Sequence, residues 1–292
     1  MAGPARPRRS VLFMPGSNAR ALEKARTLPA DALIFDLEDA VAPAQKPEAR
    51  GRIAAALASG GYGRRELVVR VNALATQWAK DDLEAAAQMK ADAVLLPKVE
   101  SAETVRRAEA ALVAAGAPPT LALWCMLETP LGILHAEAIA AASPRLAALV
   151  MGTADLAKDL RAQETPGRQP LLTALSLGLL AARAHGLAAL DGIHPDFADD
   201  DGFARSCREG RALGFDGKTL IHPKTIAVAN AVFAPSDGEL AWARRVIAAH
   251  EAAVAAGQGV TVLEGKLIER LHVEEAQRIV ALADAIAALA ER

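Results

Sequence analysis

The sequence predicts an α/β chain built as a (β/α)8 barrel with a C-terminal helical extension. Three observations carry this. Eight short apolar runs recur along the chain, each is followed by a longer amphipathic stretch, and charged residues gather just after the runs. The runs span 10–14, 32–37, 66–71, 93–97, 121–127, 146–151, 188–193 and 217–221. Most are continuously apolar, as expected for parallel strands covered on both faces. Helical patterns fall at 18–27, 46–59, 78–90, 101–115, 131–142, 170–185, 199–213 and 223–232. Punctuation agrees: Ser101 precedes Glu103 at a helix start, Gly60-Gly61 ends a helix, and Gly116 with Pro118-Pro119 makes a turn.

After Pro235 the pattern changes to two Ala-rich helical stretches, 236–256 and 272–290. A Gly-rich link, Gly257 to Val260, and a short run, Thr261 to Lys266, join them. The expected domains are therefore a barrel over 1–234 and an extension over 235–292. A helix pair outside a closed barrel either caps it or reaches a neighbouring subunit.

The 292 residues exceed the roughly 200–250 that one barrel needs. An apolar fraction of 52% gives a sizeable core and argues against disorder. Net charge −2 with interspersed signs gives no nucleic-acid or membrane footprint. The basic start (Arg6, Arg8, Arg9) lacks the apolar core of a signal peptide, and no run is long enough to span a membrane. Cys125 and Cys207 are far apart with no pairing pattern, and Cys125, inside an apolar run, reads as a buried inert thiol. A cytoplasmic protein is expected.

Strand ends in a barrel face a common mouth, so each is a candidate for chemistry. They carry Asp36-Leu37-Glu38-Asp39, Arg70-Val71-Asn72, Lys98-Val99-Glu100, Glu128, Asp155, Asp191 to His194, and His222. Glu128 and Asp155 offer hard oxygen ligands on neighbouring strands, suited to Mg²⁺ with substrate and water filling the remaining positions. The alternative is that both carboxylates cap the helices that follow them. No Cys/His spacing of a zinc site is present. Arg70, on an otherwise apolar strand, can hold a carboxylate or a developing enolate through its fixed donors. It can equally pair with Asp36 or Glu38, and one of these acids can pair with Lys98. Alternation puts Asp36 and Glu38 on one face and Asp39 on the helix side. Met14-Pro15-Gly16-Ser17 reads as a tight turn into a helix, with Ser17 and Asn18 as caps and free amides for an anion.

In this order the motifs Met14-Pro15-Gly16-Ser17, Asp36-Leu37-Glu38-Asp39-Ala40-Val41, Arg70-Val71-Asn72, Leu96-Pro97-Lys98, Glu128-Thr129-Pro130, Gly152-Thr153-Ala154-Asp155 and Gly214 to Lys218 span nearly the whole chain. The set resembles the citrate lyase β-subunit / malyl-CoA lyase / citramalyl-CoA lyase group of the HpcH/HpaI aldolase superfamily. The resemblance implies a TIM barrel with Mg²⁺ held by Glu128 and Asp155. It implies substrate or enolate contact by Arg70 and carboxylate binding by amides near Gly152 and Thr153. Ser17 and Lys98 join the expected substrate-binding residues, and Asp36 and Glu38 the expected catalytic ones. A homotrimer or hexamer is implied, with the C-terminal segment closing a neighbour's site. Where CoA-dependent lyases of this group carry a Gly-Lys-Met-Ile-Asp-like motif, this chain has Gly265-Lys266-Leu267-Ile268-Glu269. Glu269 keeps the proton-handling carboxylate on a longer side chain.

The leading expectation is Mg²⁺-dependent retro-Claisen cleavage of a malyl-, methylmalyl- or citramalyl-CoA to a keto acid and an acyl-CoA. The alternatives are a citrate lyase β-subunit acting on a citryl thioester, a class II 2-keto acid aldolase, a malyl-CoA thioesterase, and a non-catalytic ligand-binding subunit.

Overall fold

The computed structural model describes residues 6–163, 165–196 and 198–290. Residues 1–5 and 291–292, within the expected domain ranges, lie outside the described residues. The chain divides into two compact units, one over Arg8–Phe233 and one formed mainly by Ala234–Arg292.

In the first unit eight parallel strands close into a barrel: β1 (Ser10–Pro15), β2 (Ala32–Asp36), β3 (Glu66–Arg70), β4 (Ala93–Leu96), β5 (Ala122–Leu127), β6 (Leu146–Met151), β7 (Ala188–Asp191) and β8 (Gly217–Leu220). Each pairs with its sequence neighbour, and β8 closes on β1. The surrounding helices are α1 (Ala19–Ala25), α2 (Lys46–Ser59), α3 (Ala79–Gln88), α4 (Ala102–Ala114), α5 (Pro130–Leu134), α6 (Ala136–Ala140), α7 (Thr153–Leu160), α8 (Leu172–Ala184), α9 (Asp200–Leu213) and α10 (Ile226–Phe233).

Two differences from the sequence reading have local causes. The stretch 131–142 is broken at His135 into α5 and α6, where the His135 ring binds the Glu100 carbonyl. Helix α7 is short, and its two turns lie between two strong signals, the β6 run and the Ala/Leu pattern of α8.

Alternation along the strands sorts side chains into two layers. Ala32, Ile34, Val68, Leu95, Trp124, Met126, Ala148 and Val150 fill the barrel interior. Leu33, Phe35, Val69, Val94, Leu96, Leu123 and Leu149 pack outward against the helices. Continuing the inner rows upward reaches Asp36, Arg70 and Glu128. Continuing one downward reaches Glu66, which takes a bidentate Arg8 (2.6 and 2.8 Å). That guanidinium also lies 5.2 Å from the Trp124 ring, so an ion pair and a cation–π contact close the N-terminal end of the barrel.

Asp191 and Lys218 follow the outward parity instead. Asp191 therefore does not face the mouth as expected from its strand end. It is fully buried against Lys218 Nζ at 2.8 Å, also fully buried, and accepts from Arg168 Nη1 at 2.7 Å.

The second unit contains α11 (Asp237–Ala255), a hairpin of β9 (Thr261–Leu263) and β10 (Lys266–Ile268), and α12 (Arg270–Ala290). Ser236 and Glu239 form a capping box that starts α11. Ala243, Val246, Ile268, Val273 and Ala276 form its core. Among the described residues, no helix is long and apolar enough to cross a membrane.

Asp191→Ala strands the Lys218 ammonium in the helix layer. The expected loss is about 3–5 kcal/mol in urea unfolding. Adding Lys218→Met to that variant should recover most of it, because the uncompensated charge is then gone.

Candidate active site

At the C-terminal face of the barrel, register places Asp36 of β2 directly beside Arg70 of β3. The guanidinium forks onto the carboxylate, with Nε to Oδ1 and Nη2 to Oδ2 both at 2.7 Å. Asp36 also accepts from the Glu38 and Ala40 amides, at 2.9 and 3.0 Å, so all its acceptor directions are engaged. Arg70 Nη1 lies 2.8 Å from Glu38 Oε2 and 3.8 Å from the Met126 sulfur, and the guanidinium sits 4.7 Å from the Phe13 ring. Burial works against this cation, but the hydrogen bond to Asp36 and the fields of Asp36, Glu38 and Asp39 outweigh it and hold its pKa above the ordinary value. The fork expected to grip a substrate is thus spent on Asp36, leaving Arg70 as a fixed positive charge with part of Nη2 and Nη1 to offer.

The loop carrying Asp36 to Asp39 is held from behind. Lys46 Nζ donates to the carbonyls of Leu37 and Glu38 at 2.8 and 2.9 Å. Asn72 Nδ2 donates to the same Leu37 carbonyl at 2.9 Å and to Asp82 at 2.6 Å, and Arg50 binds Asp82 from its other side at 2.6 Å. Burial lowers the Lys46 pKa, partly opposed by Asp36 and Asp82. Sequence reading missed this layer. The available signal was Asp82, an acid on the apolar stripe of α3 beside Ala79, Leu83 and Ala86.

Lys98 breaks the strand alternation. Outward parity would send it into the helix layer after Leu96, but its φ of 50° turns it to the mouth. Its amide donates to Glu128 Oε1 at 2.7 Å, and its ammonium reaches Glu38 Oε1 at 2.9 Å and Asp155 Oδ2 at 3.6 Å. Burial opposes this ammonium, but the hydrogen bond to Glu38 and the fields of Glu38, Asp39 and Glu128 hold its pKa above the ordinary value. Glu38 itself is pushed up by burial, ahead of the opposing pull of Arg70 and Lys98.

Glu128 is buried, and its carboxyl is pushed up to about 7, first by burial and then by the negative field of Glu38. Gly152 makes room for it, since a β-carbon there would stand 2.5 Å from Glu128 Oε2. The Gly152 amide is taken by the Leu127 carbonyl at 3.0 Å. The amides left to meet an anion are those of the first turn of α7, which begins at Thr153.

One cavity of about 350 Å³ is lined by Asp36, Asp39, Arg70, Glu128, Gly152, Thr153 and Asp155 among others, while Glu38 and Lys98, which bind Arg70, Glu128 and Asp155, are not among its lining residues. Asp39, expected on the helix side, lines it as well. Ser17 is not among its lining residues: Asn18 caps α1, and the Ser17 carbonyl accepts from Arg52. His222 caps the turn after β8 by accepting from the Lys224 amide. A second cavity of about 340 Å³ adjoins the first, sharing Thr153, Ala154 and Ile193. Glu269 belongs to the second unit, where it is exposed just before α12.

The donor set fits Mg²⁺. Five carboxylates (Asp36, Glu38, Asp39, Glu128 and Asp155) face two cations, Arg70 and Lys98, so acids outnumber cations at the mouth by three. Glu128, with one aligned donor and a pKa near neutrality, is where the deficit is felt. Among the described residues no three His, Cys, Asp or Glu side chains are grouped to cage a metal. Two protein carboxylates with water and substrate oxygens are the coordination Mg²⁺ prefers.

A barrel that gathers carboxylates and one locked cation, Arg70, around a small cavity at its C-terminal face, with the more exposed Lys98 bound to three of those acids, is built to suit an oxygen-rich acid there. The chain belongs to the HpcH/HpaI aldolase/citrate lyase family, whose profile matches residues 9–223. It is 52% identical to the (3S)-malyl-CoA thioesterase of Cereibacter sphaeroides (strain ATCC 17025) over 288 residues, covering 99% of both chains. It is 39% identical to the L-malyl-CoA/beta-methylmalyl-CoA lyase of the same strain, covering 98% of this chain and 97% of that one. Among solved structures it is similar to CitE of Mycobacterium tuberculosis in complex with magnesium, acetoacetate and coenzyme A. That match has a TM-score of 0.75 and 33% identity, covering 97% and 98% of the two chains.

In metal-free protein the raised Glu128 pKa sets the sign of a pH effect. Its favourable protonated form is complete below the ordinary value of 4.5 and is lost as pH rises through about 7. EDTA-treated protein should therefore lose up to about 3 kcal/mol of stability between pH 5 and 8 relative to Glu128→Gln, which cannot ionise. Urea midpoints at the two pH values measure it, and parallel curves would remove the assignment.

Proposed function

We propose that this protein is a Mg²⁺-dependent enzyme acting on a malyl-type CoA thioester and that it hydrolyses the thioester. The observation that carries the reading is the 52% identity over 99% of both chains to a protein named for this activity. Two features of the chain accord with it. The cavity of about 350 Å³ suits a short hydroxy-diacid acyl group, and the adjoining cavity leaves room for a longer thioester arm.

Glu128 and Asp155 would hold the metal. When bound, Mg²⁺ supplies Lewis-acid polarisation of the substrate oxygens. The remaining work falls to the chain's own groups. Amides of the first turn of α7 bind the terminal carboxylate of the acyl group. Arg70, locked by Asp36, supplies a positive charge that needs no reorganisation as negative charge develops on the thioester oxygen. Attack by water on the thioester carbon forms the new C–O bond and the C–S bond breaks; one water proton ends on the departing sulfur to give the CoA thiol, and the other stays on the new carboxyl, which ionises to solvent, so the products are a hydroxy diacid and CoA.

C–C cleavage is the second reading, favoured by the lyase relative at 39% identity. It shares the substrate, the metal and the role of Arg70, and adds removal of the 3-hydroxyl proton. Glu269, from a neighbouring subunit of a homotrimer or hexamer, is the residue for that step. Glutamate in place of the aspartate of CoA-dependent lyases is a second reason to rank hydrolysis first.

Incubation with (3S)-malyl-CoA and Mg²⁺ separates the readings. Hydrolysis releases free thiol and malate, whereas C–C cleavage releases glyoxylate and leaves acetyl-CoA. Thiol without glyoxylate is expected, and glyoxylate as the main product would give the lyase reading first place. Glu128→Ala and Asp155→Ala should each abolish the Mg²⁺-dependent turnover. Arg70→Lys should lower kcat by about 100-fold or more, because a point charge replaces neither the fork onto Asp36 nor the fixed position that it gives.

A further inference from the structure

Lys98 touches three of the five carboxylates at the mouth. Its amide binds Glu128 Oε1 at 2.7 Å, and its ammonium lies 2.9 Å from Glu38 and 3.6 Å from Asp155. It does so from a left-handed backbone, φ 50°, that a non-glycine residue rarely adopts. Such a conformation persists only where the surroundings hold it, and here the hydrogen bond from the strained residue's own amide to Glu128 is one of the holds. The consequence is a side chain that leaves the helix layer and projects between Glu38 on the β2 loop and Asp155 on α7. Lys98 is half-exposed, so its ammonium has room to move away, whereas Arg70 is buried and forked onto Asp36.

We propose that Lys98 is a built-in counter-cation that holds Asp155 and Glu38 when no divalent ion is present and competes with Mg²⁺ for the site. The inference rests on the assignment of Glu128 and Asp155 as the metal-holding pair. Two like charges cannot share one carboxylate at short range without strong repulsion. Entry of a divalent cation beside Asp155 therefore has to displace the ammonium from that oxygen. Glu38, at the shorter distance, keeps it at the mouth, where it is available to an anionic group of the substrate. Lys98 thus does two things for the metal pair. It preorganises Asp155 and, through its amide, Glu128, and it makes the chain's own charge the competitor that sets how much Mg²⁺ is needed.

The test is titration calorimetry of Mg²⁺ alone into EDTA-stripped, full-length protein, with melting temperature as a second readout. Lys98→Met should bind Mg²⁺ about tenfold more tightly than wild type, because the competitor is gone while both carboxylates remain. In EDTA it should melt at a lower temperature, and Mg²⁺ should raise its melting temperature more than that of wild type. Lys98→Arg, which keeps a cation on a similar stem, should return the affinity towards the wild-type value. Equal or weaker Mg²⁺ binding by Lys98→Met overturns the proposal. Glu128→Gln separates the two levels of the argument. If wild type binds Mg²⁺ and Glu128→Gln does not, the metal assignment stands and the Lys98 result is judged by itself. If Glu128→Gln binds as wild type does, the metal assignment fails and this inference fails with it.

Discussion

The ion pair between Asp36 and Arg70 is the interaction on which the mouth of this barrel depends. It links two neighbouring strands at paired register positions, and both partners are buried. A buried charge pair is tolerable only when its remaining donors and acceptors are also satisfied. Asp36 meets that condition with two loop amides in addition to the guanidinium. Those amides belong to Glu38 and Ala40, so satisfying Asp36 also fixes the loop that delivers Glu38 to Arg70 and Lys98. The carbonyls of that loop are held in turn by Lys46 and Asn72, with Asp82 and Arg50 behind them. Arg70 is therefore a rigid charge, and its rigidity is what makes it useful where negative charge develops.

Around that fixed pair the site is short of positive charge, and the shortage is unevenly distributed. Asp36 is fully compensated. Glu38 is shared between Arg70 and Lys98, while Glu128 has a single aligned amide and a pKa near 7. The least compensated carboxylate thus lies beside Asp155 and the start of α7, where a substrate oxygen and a divalent cation would meet. Hydrolysis and C–C cleavage both develop negative charge on the thioester oxygen, so one electrostatic frame can serve either. Which bond breaks depends on where the nucleophile or base stands. Relatives of the same family carry both kinds of name.

Much of this was legible in the sequence. Apolar runs marked the eight strands within a residue or two because a parallel strand covered on both faces is largely apolar, with β8 and its buried Lys218 and Thr219 the exception. Asp36, Arg70 and Glu128 were legible for the same reason, each being a charge at the end of such a run. The period-2 rule then sends them inward with Ile34, Val68 and Met126. The rule failed only where the backbone leaves the strand, at Lys98, whereas the reading of every strand-end charge as a mouth residue failed where that charge has the outward parity. Asp191 looked like a mouth residue but has the outward parity, and it serves a buried pair with Lys218. Ser17 looked like an anion-binding cap, but the cap is Asn18.

The sequence by itself determined the barrel, the set of strand-end charges and the candidate metal pair, because strand periodicity and residue chemistry are local properties. Only the tertiary structure decided how those charges are shared. Register across β2 and β3 spends the Arg70 fork on Asp36 rather than leaving it for a ligand. A single left-handed residue turns Lys98 from the helix layer onto Glu38 and Asp155. Burial and the field of Glu38 move Glu128 to near neutrality. Each of these depends on distances between residues far apart in the chain, and Coulomb energies and desolvation are set by those distances and not by sequence order.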